Sequence, residues 1–121
     1  MKLRAWSVLA VPLALTLVAI PAFPHHSFAA EFDINKPVTV TGTLTRVEWI
    51  NPHVFLYVEA KDETGKGENR QFEMDSPNGL LRRGWNRTSL KVGDTITVSG
   101  YLAKDGSRIG NARIVKLIDC R

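Results

Sequence analysis

Three histidines carry the clearest capacity for chemistry in this sequence. His25 and His26 are adjacent, and His53 follows Asn51-Pro52. Imidazole nitrogens suit copper, zinc and nickel. Adjacent side chains of an extended segment point to opposite faces, so one ion takes only one of His25 and His26. A site would join that residue to His53, with Glu31, Asp33 or Glu48 supplying an oxygen. The bland alternative is a solvated His-His tail and a His53 that hydrogen-bonds a strand edge. No cofactor is expected on the main reading; divalent copper or zinc belongs to the alternative.

A second set is aromatic: Trp49, Phe55, Tyr57 and Tyr101. Flat rings beside a few charges make a stacking surface for bases or sugars. A third set is basic: Arg82, Arg83 and Arg87, with Lys91 nearby. Together with His53, these residues are the candidate ligand-binding positions. Opposed to both sets stand packing of Phe55 and Tyr57 under a neighbouring segment and a merely solvated basic face. The signatures of catalysis are missing: no glycine-rich phosphate loop, no paired histidines on a helix, no Gly-x-Ser-x-Gly. A non-catalytic protein is therefore expected.

The segments that must position these residues are mostly strands. Val38 to Ile50 (VTVTGTLTRVEWI) is β-branched and alternating. Val38, Val40, Gly42 and Leu44 share one phase, whereas Val47 and Trp49 share the other. Such a change within one strand is what a bulge does, and Gly42 is the residue that would let the strand bend. Asn51-Pro52 marks a turn into His53 to Ala60, where Val54, Leu56 and Val58 face one way and His53, Phe55, Tyr57 and Glu59 the other. Asp62 to Asn69 reads as a loop and Arg70 to Asp75 as a third strand. Ser76-Pro77 starts a short helix, with Leu81 and Trp85 expected on one face and Leu80 flanking. Thr95 to Leu102 and Arg108 to Ile118 form a hairpin across Asp105-Gly106. The expected core is Val40, Leu44, Val54, Leu56, Val58, Phe72, Met74, Ile96, Val98 and Ile114.

This order predicts a mainly β fold: a five-stranded, partly open barrel of the OB type, with one short helix between strands three and four. The barrel is expected over residues 37–119, preceded by a strap over residues 23–36. Before the strap comes a secretory signal helix over residues 1–22. Lys2 and Arg4 open it, Ala5 to Ile20 is uncharged and interrupted by Pro12, and Pro21-Ala22 closes it. The run is shorter than the roughly 20 apolar residues of a comfortable span. Cleavage is expected after Ala22, with Ala29 second, which leaves no membrane span. Net charge is +4 over 121 residues. Without Lys2 and Arg4 it is nearly balanced, so nucleic acid is not expected as a partner. Cys120 is the single cysteine, which excludes an internal disulfide.

Three stretches resemble a known family: His25-His26-Ser27-Phe28-Ala29-Ala30-Glu31-Phe32-Asp33, then Val47-Glu48-Trp49-Ile50-Asn51-Pro52-His53, then Pro77-Asn78-Gly79-Leu80-Leu81-Arg82-Arg83-Gly84-Trp85. They are similar to the hallmark stretches of domain of unknown function family 6152, small exported bacterial proteins. The resemblance implies export and places the His-His pair near the mature N-terminus. It implies no activity. The expectation is thus a periplasmic or secreted, non-catalytic binding or adaptor module, with a protein or small ligand as partner. The alternative is a copper- or zinc-binding protein using His25, His26 and His53.

Overall fold

The computed structural model describes residues 28–118. The expected signal segment over residues 1–22, the His25-His26 pair and Cys120 lie outside them. Among the described residues, no helix is long and apolar enough to cross a membrane.

The chain forms α1 (Phe28–Glu31), β1 (Phe32–Glu48), β2 (Phe55–Lys61), β3 (Gly67–Glu73), α2 (Pro77–Arg82), β4 (Thr95–Ala103) and β5 (Ile109–Leu117). The order is the expected one: five strands, with the helix between the third and fourth. The strands close into a ring in the order β1-β2-β3-β5-β4. A partly open barrel was expected. Closure comes from a short parallel contact in which Gln71, Phe72 and Glu73 run beside Ile109, Gly110 and Asn111. The first strand begins at Phe32 rather than Val38, because Phe32 already pairs with Ala103.

β1 pairs with β4 along its first part and with β2 along its last, so one long strand serves two sides of the barrel. The change of phase read from the sequence is real, but it lies between Leu44 and Arg46. Gly42 serves another purpose. A Cβ built there would overlap the Glu59 carbonyl oxygen, so β1 and β2 approach closely at this point because the residue has no side chain.

The core holds Leu44, Val54, Leu56, Val58, Phe72, Met74, Leu80, Leu90, Ile96 and Val98, with Val40 packed against it. Ile114 is the exception among the expected core residues: it is 54% exposed. A register shift between Ser99 and Gly100 places Ile114 opposite Ser99 while Ala112 faces Gly100. The extra residue, Arg113, reverses the alternation, and Val115 packs inward instead.

α2 starts as expected, with the Ser76 hydroxyl accepting from the Gly79 amide at 3.1 Å. Its apolar face differs. Leu80 is buried and Leu81 is 52% exposed. The helix stops at Arg82, so Leu81 and Trp85 never share a helical face. Instead, the Gly84 amide donates to the Leu81 carbonyl and the Trp85 amide to the Leu80 carbonyl, a Schellman closure that folds Trp85 back onto the core.

Leu56 is 1% exposed at the centre of β2. Leu56→Ala is expected to destabilise the domain by about 2–5 kcal/mol in urea unfolding, as a buried truncation that leaves a cavity. A loss below about 0.5 kcal/mol would show that this side chain does not pack inside.

Candidate ligand-binding face

Because Leu56 and Val58 point inward, Phe55 and Tyr57 must point outward, and both are half-buried. The register extends them into two rows across the outer face. One row runs Arg46, Tyr57, Gln71, Ile109; the other runs Glu48, Phe55, Glu73, Asn111. A shallow depression of about 210 Å³ is lined by Tyr57, Asn69, Arg70, Gln71, Arg108 and Ile109. A second, of about 340 Å³, is lined by Phe55, Gln71, Glu73, Ile109, the loop residues Lys104, Asp105 and Ser107, and the α1–β1 junction at Ala30 to Phe32. Gln71 and Ile109 belong to both, so the two form one trough along β2, β3 and β5.

The rims of the trough are charged. The Arg46 guanidinium lies 5.3 Å from the centre of the Tyr57 ring and pairs with Glu48. Partial burial, and then the Glu48 carboxylate, push the Tyr57 hydroxyl above its ordinary range, and Arg46 offsets only part of this. Tyr57 is therefore a neutral hydrogen-bond donor at physiological pH. Arg108 is 3.3 Å and Arg70 3.5 Å from Glu68. In the loop between β4 and β5, the Ser107 hydroxyl, and then its amide, hold the Asp105 carboxyl below the usual carboxylate range. These bonds set the loop that ends the trough.

The other sequence candidates lie elsewhere. Trp49 packs with Trp85 and Leu90 against the core, beside Arg87. Tyr101 is outward on β4, edge-on to Phe28 at 5.5 Å. Arg82 and Arg87 are exposed, and Arg83 donates to Asp75 at 2.8 Å. Of the four aromatic candidates, the fold thus gathers Phe55 and Tyr57 alone. Arg46, Gln71, Arg108, Lys104 and Ile109 were missed. Alternation in Arg70 to Asp75 already set Gln71 and Glu73 opposite Phe72 and so marked them as outward; Arg46 was hidden by the bulge before it.

His53 lies at another groove, of about 580 Å³, whose walls include Phe28, Glu31, Glu73, Asp75, Arg83 and Arg113. It precedes β2, after a cis Asn51–Pro52 peptide. Its Nδ1 is 2.9 Å from the Met74 carbonyl oxygen. A carbonyl only accepts, so Nδ1 carries the proton and donates. Of the expected oxygen ligands, Glu31 reaches this groove. Glu48 sits with Arg46, and Asp33 accepts from the Asn35 amide.

Mitochondrial single-stranded DNA binding protein Rim1 from S. cerevisiae superposes with a TM-score of 0.55 at 9% identity, over 71% of this chain and 97% of its own. The N-terminal domain of PriB from Thermoanaerobacter tencongensis reaches 0.48 at 18% identity, over 71% and 99%. A small single-stranded DNA-binding protein from Streptomyces coelicolor reaches 0.42 at 16%, over 70% and 93%. The architecture is that of the OB fold. The expectation that nucleic acid is not a partner is overturned here, since Rim1, built on this fold, is a single-stranded DNA binding protein. The reasoning failed because net charge averages over the chain and does not register which arginines the fold gathers on one face. No curated protein matches the sequence. The profile of a family described as a family of unknown function (DUF6152) matches residues 13–112, nearly the whole chain, and the protein belongs to that family.

Proposed function

We propose that this protein is an exported, non-catalytic binding module that holds an extended ligand along the β2–β3–β5 trough. The observation that carries the reading is the continuity of that trough. Phe55 and Tyr57 supply flat surfaces, Gln71 and Asn69 supply amides, and Arg46, Arg108 and Lys104 stand along the rims. Flat rings beside cations suit a ligand that alternates flat groups with negative charges. Single-stranded nucleic acid has that chemistry, and the fold of Rim1 supports it as the ligand class.

Titration of the purified protein into a labelled oligodeoxythymidylate, read by fluorescence anisotropy, tests this. Binding is expected at low salt and should weaken steeply as salt rises. Tyr57→Ala should weaken it about tenfold, the lower range for one lost stacking contact, without changing the circular dichroism spectrum. An oligonucleotide that does not bind, or that binds Tyr57→Ala equally well, sinks the reading.

A further inference from the structure

We infer that Arg70 and Arg108 form a subsite for one phosphate group of the ligand at the end of the trough, and that Glu68 holds it closed until that phosphate displaces it. The inference rests on the trough as the ligand face and names a group that the ligand must present there.

Glu68, Arg70 and Phe72 share one phase of β3, opposite Ala60, Val58 and Leu56 of β2. Phe72 fills the barrel, but β5 joins β3 only from Gln71 onward. Arg70 and Glu68 therefore stand past the closure, and Arg70 comes out with Arg108 in the depression beside Tyr57. The Arg70 side chain is 16% exposed, and its Nε–H is buried with no acceptor among the described residues. A charged donor buried without its acceptor costs free energy, which is recovered when the guanidinium turns onto an incoming oxygen.

The acceptor already present fits badly. Arg70 Nη1 is 3.5 Å and Arg108 Nη1 3.3 Å from the same oxygen, Glu68 Oε1. Charge-assisted hydrogen bonds close to about 2.7–2.9 Å, and a guanidinium well matched to a carboxylate makes two of them. Here one carboxylate oxygen stands between two guanidiniums, too far from each, and the trio keeps a net positive charge. A second carboxylate near Arg108, that of Asp62, is spent on its own turn. It accepts from the Thr64 hydroxyl at 2.6 Å, the Thr64 amide at 2.8 Å and the Lys66 amide at 3.0 Å. A phosphate offers oxygens to both guanidiniums at once, in the fork geometry that arginine favours. Arg108 is 73% exposed and can swing onto it.

Two probes test the subsite. Glu68→Gln keeps the shape of the side chain and removes the charge that competes. It should bind oligodeoxythymidylate about tenfold more tightly than the wild type in fluorescence anisotropy, with a salt slope steeper by about one. Inorganic pyrophosphate should shift the Arg70 Nε–H resonance in NMR at about tenfold lower concentration in Glu68→Gln than in the wild type. Adding Arg108→Gln should remove the gain with both probes. Glu63→Gln removes an exposed charge from the turn between β2 and β3, and should change either affinity by less than about twofold. No gain with pyrophosphate overturns the subsite, whatever the oligonucleotide does; wild-type binding of the oligonucleotide would then still uphold the nucleic-acid reading. A gain with pyrophosphate while no variant binds the oligonucleotide supports the subsite and sinks nucleic acid as the ligand. An equal gain in Glu63→Gln overturns the subsite, since net charge alone would account for it.

Discussion

Gly100→Ala is expected to destabilise the domain strongly and lower its melting temperature by many degrees. Gly100 is buried in β4, where Val38 flanks it on one side and Ala112 on the other. The register shift beside it brings the Asn111 backbone directly over its Cα. A Cβ at this position would overlap the Asn111 carbonyl oxygen and lie 3.3 Å from the Arg113 amide nitrogen. Both obstacles are main chain, so no side-chain rotation relieves them. Either β4 and β5 separate or the shift is lost, and losing it would turn Ile114 inward and Val115 outward. Enforced overpacking of this kind costs about 3 kcal/mol or more, a large part of the 5–15 kcal/mol that holds a typical domain together. Thermal denaturation followed by circular dichroism checks it. A melting temperature within about 2 °C of the wild type would show that the two strands tolerate a side chain here.

Phe72→Ala is the second large effect. Phe72 is 0% exposed and heads the largest fully buried side chains. It faces Leu56 across β2–β3, and its ring lies against Gly110 across the parallel contact that closes the ring of strands. Truncation removes the filling of that closure and leaves a cavity that backbone on the β5 side cannot collapse into. The expected loss is about 3–5 kcal/mol, measured as a lower urea midpoint at unchanged m-value. A loss under about 1 kcal/mol would mean that β3 points the other way and that Gln71 and Glu73 do not line the outer trough.

Alternation in the sequence was enough for most of the inward face. Val54 just before β2 with Leu56 and Val58 in it, Phe72 in β3 with Met74 just after it, and Ile96 and Val98 in β4 repeat every second residue, and each is buried. The Ser76-Pro77 start of α2 was legible for a similar reason, since a cap is a local arrangement between neighbours in the chain. The outward aromatics Phe55 and Tyr57 followed as the complement of that inward face.

What escaped the sequence depends on contacts between distant segments. The shift at Ser99/Gly100 turned Ile114 out, and nothing within Ile109 to Leu117 signals it, because its cause is the approach of another strand. The reason for Gly42 was likewise the carbonyl of Glu59, not a bend in its own strand. The trough joins residues from β1, β2, β3, β5 and the β4–β5 loop, so its membership exists only once register is set. His53 and Glu73 stand 20 positions apart in the sequence but face one another in space, because the β2–β3 hairpin folds one onto the other. The sequence by itself determined most of the side chains that enter the core, through local periodicity and hydrophobicity. Tertiary structure decided which outward side chains meet, since register and bulges are settled by pairing between strands and not by the order of residues within one.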